Sequence, residues 1–186
     1  MKDKYKQLLN KSYIINILFG ILKIILGMSI RFYSFCISAI YNIAVGISKY
    51  KVRSKKQDSI GLLIIISSLL YISYSIYIIV HHHNPIYHMY LGIIIAAVTF
   101  SEIVISIIGI IKADNKENKL IKYSNLCNGI ISLALTQTAI LSFTNPNKDL
   151  SLYNGLGGII FSCVTIIIGI YLIINKKGEI TWKKDF

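Results

Sequence analysis

The sequence predicts an all-α integral membrane protein, a six-transmembrane-helix bundle with both the N and C termini in the cytoplasm. Three observations carry that prediction. Of 186 residues, 54% are apolar and only 15% are charged, against about 25% charged in an ordinary soluble domain. The apolar residues fall in continuous runs of about 17–26, the length that crosses a bilayer as helix. The charges lie between the runs, and among the eight acidic residues only Glu102 sits inside one. Intrinsic disorder, a soluble enzyme and a disulfide-stapled secreted domain are excluded. A β-barrel is excluded as well, because its strands would alternate with a period of two.

The first apolar stretch, Tyr13 to Ser48, decides the span count. As a single helix it would run about 54 Å, far beyond a hydrocarbon core of about 30 Å. A hairpin turning near Ser29-Ile30-Arg31 divides it into spans 13–29 and 32–48. The Lys-rich start resembles a signal peptide but lacks a small-x-small cleavage site, so the first span is read as uncleaved. Span 60–80 follows the helix-cap pair Asp58-Ser59. Span 86–111 follows Asn84-Pro85, with Asn as cap and Pro at the tolerated first position. Span 121–143 runs up to Asn145-Pro146, and span 152–174 follows Ser151 and ends at Asn175-Lys176. All of 1–186 reads as one membrane domain.

Charge orients the spans. Seventeen of the 20 Lys and Arg fall in four clusters, at Lys2–Lys11, Lys49–Lys56, Lys112–Lys122 and Lys176–Lys184. Six spans place every cluster in the cytoplasm, as positive residues near span ends require. Arg31 and Lys148 fall in outer loops, and Lys23 is left inside a span. The net charge of +12 is thereby a topology signal and an attraction to anionic headgroups, not a nucleic-acid footprint. Tyr33, Tyr77, Tyr87, Tyr90 and Tyr153 group near the outer boundary, and Tyr13, Tyr50, Tyr123 and Tyr171 near the inner one.

Small and polar residues recur at helical spacing, as in Asn16, Gly20, Lys23, Gly27 and in Gly92, Thr99, Glu102, Ser106. Such stripes pack helices together; the same residues, with Asn128 and Gln137, could instead line a polar cavity. Lys23 lies about 16 Å of helix from the cytoplasmic end of span one, and Glu102 about 15 Å from Lys112. Each charge alone at that depth costs about 2.5–3.5 kcal/mol. Equal depth and opposite sign suggest an intramembrane pair, either a lock between spans one and four or a coupling-ion or substrate site. His81, His82, His83 and His88 share an outer loop and are weak metal candidates. Three consecutive His cannot all face one metal from a helix, and no Asp, Glu or Cys adjoins them. No metal and no other cofactor is expected. Cys36, Cys127 and Cys163 lie in apolar runs with no intramembrane His to activate them, so no catalytic residue is assigned.

The first span, with Asn16, Lys23 and Gly27, is similar to the opening helix of cation diffusion facilitators. Where that family binds metal, this chain offers Ser38, Asn42, Asn125 and Asn128, so the resemblance implies no metal transport. The segments Asn84-Pro85-Ile86-Tyr87, Thr99-Phe100, Ser132 to Ala139 and Asn154-Gly155-Leu156-Gly157-Gly158 resemble an uncharacterised six-span membrane protein family of low-GC Gram-positive bacteria. That resemblance implies the span count and no activity. The expectation is a multi-pass, non-enzymatic protein of the bacterial cytoplasmic membrane. It is either a small transporter-like protein or an accessory subunit beside a membrane-protein partner or a second copy. The alternative is a purely structural or interaction protein.

Overall fold

The computed structural model describes residues 2–29, 33–53, 60–84, 86–113 and 116–178. They form six helices: α1 (Lys2–Ser29), α2 (Tyr33–Arg53), α3 (Ile60–Val80), α4 (Met89–Ile111), α5 (Lys116–Thr144) and α6 (Ser151–Gly178). Four segments, Ile60–Val80, Met89–Ile111, Asn118–Thr144 and Ser151–Asn175, are long and apolar enough to cross a membrane. The apolar part of α1, Tyr13–Ser29, is shorter. In α2 the side chains of Ser34, Ser38, Asn42 and Ser48 are buried, which dilutes its apolar character. The expected turn at Ile30-Arg31, the Asp58-Ser59 cap, Pro85 and, from the basic clusters, Lys55, Lys56, Lys183 and Lys184 lie outside the described residues.

Packing follows a two-fold pattern. The pairs α1–α2 and α4–α5 lie alongside one another, as do α2–α3 and α5–α6, while α2–α5 and α3–α6 join the halves. Exchanging α1 with α4, α2 with α5 and α3 with α6 leaves that set unchanged, apart from a slight α3–α5 contact. Helices α2, α3, α5 and α6 close a ring around the core, which holds Tyr41, Ile64, Tyr71, Cys127 and Ile131. Helices α1 and α4 are outriggers, each resting on one ring helix.

Glycine sets the closest approach, between α3 and α6. A Cβ on Gly61 would stand 2.5 Å from the Gly169 carbonyl oxygen, and one on Gly155 2.7 Å from that of Ser75. The antiparallel helices therefore touch backbone to backbone at both ends. Across the seam Ser68 hydrogen-bonds Thr165 at 2.8 Å and Tyr41 at 3.3 Å.

Two local readings are corrected. Helix α4 starts at Met89, with His88 as an N-cap that makes no side-chain bond, and not at Asn84-Pro85. The Asn84 side chain is engaged elsewhere: it accepts from the Leu150 N–H at 3.0 Å and donates to Asp149 at 2.9 Å. Tyr87 is not a boundary tyrosine. It is buried against Phe35, and its N–H donates to the Ser142 hydroxyl at 3.0 Å. Of the tyrosines expected near the inner boundary, Tyr13 pairs with Tyr50 and Tyr123 with Tyr171, each at 5.7 Å between ring centroids.

Candidate functional site

Because α1 and α4 rest on neighbouring ring helices, a cleft is left between them with α2 and α5 as its floor. Its volume is about 430 Å³. Asn16 and Lys23 enter it from α1, Asn42 from α2, Thr99 and Glu102 from α4, and Asn128 and Ser132 from α5. The remaining wall is apolar, including Phe19, Leu22, Phe35, Ile94 and Val98.

The structure brings Lys23 and Glu102 to one cavity without joining them. The ammonium of Lys23 donates to the Ser38 hydroxyl of α2 at 2.9 Å. The Glu102 carboxylate accepts from the Asn128 amide of α5 at 2.7 Å. No ion pair within 4.0 Å joins the two; the close contact to a carboxylate is His82 with Asp149, at 2.7 Å. The direct Lys23–Glu102 contact expected from equal depth is thus replaced by two separate bonds, each from an outrigger helix to its own support. Helical depth fixes the level of a residue and not its neighbours.

Of the other expected lining residues, Asn16, Thr99 and Asn128 face the cleft, and Thr99 accepts from Thr136 at 3.2 Å. Ser106 does not; it borders a second groove of about 470 Å³ on the other flank of α4, with Ala97, Ser101 and Asn125. Glu102 and Val98 border both spaces. Gln137 lies apart, packed over Gly157 and donating to the Tyr153 carbonyl at 2.9 Å.

Sequence reasoning missed Lys49. It counts there among the cytoplasmic cations, yet it is only 5% exposed. Its charge acts on Glu102 and Lys122, as that of Lys23 acts on Glu102. The flanking Ser48 and Val45, both buried, are the available signal, because they place Lys49 near the ring face. The aliphatic stem of Lys122 in turn covers Gly109 of α4.

The histidines sit at the far end of α3. His82 takes a left-handed backbone (φ 48°), with its N–H on the Ile79 carbonyl and that of His83 on Ile78, a Schellman closure. Its ring meets Asp149 at 2.7 Å, so an acidic partner distant in sequence does adjoin the run. His81 lies against Tyr77 with ring centroids 4.5 Å apart and planes tilted by 40°, and His83 lies 6.3 Å from Tyr33. Among the described residues no three His, Cys, Asp or Glu side chains converge. The N–H of Ser151 and its side chain, with His82 and Asn84, hold the Asp149 carboxyl well below the usual carboxylate range.

No family model, curated protein or solved structure matches this chain.

Proposed function

We propose that the chain is a non-enzymatic six-span protein of the bacterial cytoplasmic membrane, with cytoplasmic termini, that acts as a small transporter-like protein around the α1–α4 cleft. One observation carries the reading. Lys23 and Glu102 reach the same cavity, each hydrogen-bonded to the second helix of its own half and not to the other. A pair serving only as a lock would neutralise itself directly. Ionisable groups within spans mark substrate or ion paths by default, and a cavity between two halves of inverted topology is a common transporter plan.

Single cysteines in a background lacking the native three test the reading. Cysteine in place of Asn84 or Asn147 is expected to label from outside, and in place of Gln57 or Asn115 only from inside. Ser132→Cys, on the cleft floor, is expected to react with a small membrane-permeant thiol reagent. Labelling of Gln57→Cys from outside overturns the topology. A Ser132→Cys that does not react with it overturns the open cleft.

A second reading, accessory subunit, draws on the groove beyond α4, where Ala97 and Ser101 present small and polar groups on a largely exposed, apolar helix. Small residues of this kind admit a partner helix. Crosslinking through Ser101→Cys to a second protein in native membranes would favour it.

A further inference from the structure

The cleft has an open side. Phe19 and Leu22 of α1 and Ile94 and Val98 of α4 line it, yet each is more than half exposed on the outer surface. The space therefore opens outward between the two outriggers, through an apolar mouth. Resting on the membrane reading above, that mouth faces acyl chains and not water.

Inside, both charges hold bonding capacity in reserve. Lys23 has three N–H donors, of which Ser38 takes one. Asn128 bonds only Oε1 of Glu102, and among the described residues no hydrogen bond engages Oε2. A cation and an anion on opposite walls, more than 4.0 Å apart, are matched by a ligand carrying both signs. A volume of about 430 Å³ lies within the range of sites for small molecules, about 300–1,000 Å³.

We infer that the cleft is a headgroup site for a zwitterionic amphiphile, in which Lys23 holds a phosphate and Glu102 a primary ammonium, while the acyl chains lie along the mouth formed by Phe19, Leu22, Ile94 and Val98. A primary ammonium is favoured over a quaternary one. It can donate to Glu102 Oε2 and to the side-chain oxygen of Asn16 or Asn42, whereas a quaternary group binds through an aromatic cage. Among the described residues the wall offers two Phe rings and no Tyr or Trp. A purely anionic headgroup would satisfy Lys23 and be repelled by Glu102.

The test uses the full chain purified in mild detergent, with lipid adducts read by native mass spectrometry. The probes are a phosphatidylethanolamine, a phosphatidylcholine and a phosphatidylglycerol of identical acyl chains, and water-soluble phosphoethanolamine. The ethanolamine lipid is expected to be retained at about tenfold lower concentration than either other lipid, the effect of one charge-assisted hydrogen bond. Glu102→Gln is expected to abolish its advantage over the glycerol lipid, and Lys23→Met to weaken retention of both. Val98→Trp, at an exposed position on the mouth, leaves the charges intact and is expected to block all three lipids. Equal retention of the three lipids overturns the headgroup site. Competition by phosphoethanolamine at the same concentration as the lipid overturns access through the mouth. Either failure leaves the cysteine-labelling result standing, so it is distinguishable from failure of the transporter-like reading.

Discussion

The α3–α6 seam and the α1–α4 cleft are built from the same residue types and do opposite things. Both draw on stripes of Gly, Ser, Thr and Asn at helical spacing. In the seam the small residues face each other, so the backbones meet and the hydroxyls of Ser68 and Thr165 satisfy one another at 2.8 Å. In the cleft the small residues of α1 and α4 face their supports: Gly20 packs on Ile43 of α2, and Gly92 on Phe143 of α5. The longer polar groups, Lys23 and Glu102, are left on the edges and turn into the space between. A stripe aimed at another stripe closes a gap, while two stripes aimed at separate supports leave one open.

Glycine substitutions give the largest expected contrast. Gly61→Ala drives a methyl into the backbone oxygen of Gly169, which cannot move without parting α3 from α6. Overpacking of this kind costs about 1–3 kcal/mol, to be measured by thermal unfolding in detergent. At Gly20 the nearest atom is Cγ1 of the Ile43 side chain at 2.6 Å, and the nearest backbone atom is the Ala39 carbonyl oxygen at 3.1 Å. The backbone is not struck as hard as at Gly61, and alanine gains helix propensity of up to about 1 kcal/mol, so Gly20→Ala is expected to cost less than Gly61→Ala. Equal losses at the two sites would mean that α1 packs on α2 as tightly as the seam.

Double-mutant cycles address the cleft. Residues in contact couple by about 0.5–3 kcal/mol. Lys23→Met with Ser38→Ala, and Glu102→Ala with Asn128→Ala, are each expected to show coupling in that range. Lys23→Met with Glu102→Gln is expected to couple less than either, because no hydrogen bond or ion pair joins them. A cross-cleft coupling larger than the other two would restore the lock and remove the space for a ligand.

How much of this is legible in the sequence follows from what each signal measures. Apolar runs report helix positions, and each of the six helices lies over its run, but α1 begins well before it at Lys2, α2 continues past it to Arg53, α4 starts late at Met89, and α5 and α6 extend into polar flanks by a few residues. The two charges worth attention, Lys23 and Glu102, are conspicuous because no other Lys, Arg, Asp or Glu interrupts their runs. Neighbour choice is not legible. Nothing in the spacing of Gly61 and Gly169 says that they oppose each other across 108 residues of chain. Burial of Lys49 is hidden because a lysine at the end of an apolar run reads as a surface topology signal. The Asn84-Pro85 pair reads as a helix start, but Asn84 can bond the α5–α6 loop instead, and that choice depends on a segment 65 residues away.

Hydroxyl deletions sharpen the same contrast at smaller scale. Ser68→Ala removes the bridge between Tyr41 and Thr165 inside the seam, with an expected loss of about 1 kcal/mol. Ser132→Ala removes a hydroxyl from the cleft wall, where no protein partner is left unsatisfied. Its effect on stability is expected to stay within about 0.5 kcal/mol. A loss as large as that of Ser68→Ala would mean that the cleft floor is as interlocked as the seam.

The smallest expected effect concerns the loop junction that ties the two halves together, where Asp149 meets His82, Asn84 and the Ser151 N–H. The Asp149 carboxyl is held below its ordinary value of 3.8, first by the Ser151 N–H and then by the Ser151 side chain, His82 and Asn84. A depressed carboxyl favours the folded state while it is ionised. Its contribution is therefore complete above the unfolded value of 3.8 and declines as pH falls below that toward the folded value. Solvent surrounds the junction, with side chains 74% exposed at His82 and 48% at Asp149, so screening keeps the contribution small. Thermal unfolding at about pH 6 and about pH 3 is expected to show a smaller acid-induced drop for Asp149→Asn than for the unaltered chain. His82→Ala should retain most of the wild-type drop, since the Ser151 and Asn84 bonds remain. Identical drops in Asp149→Asn and the unaltered chain would show that the junction carries no part of the acid response, and that the halves are joined by the α3–α6 and α2–α5 contacts alone.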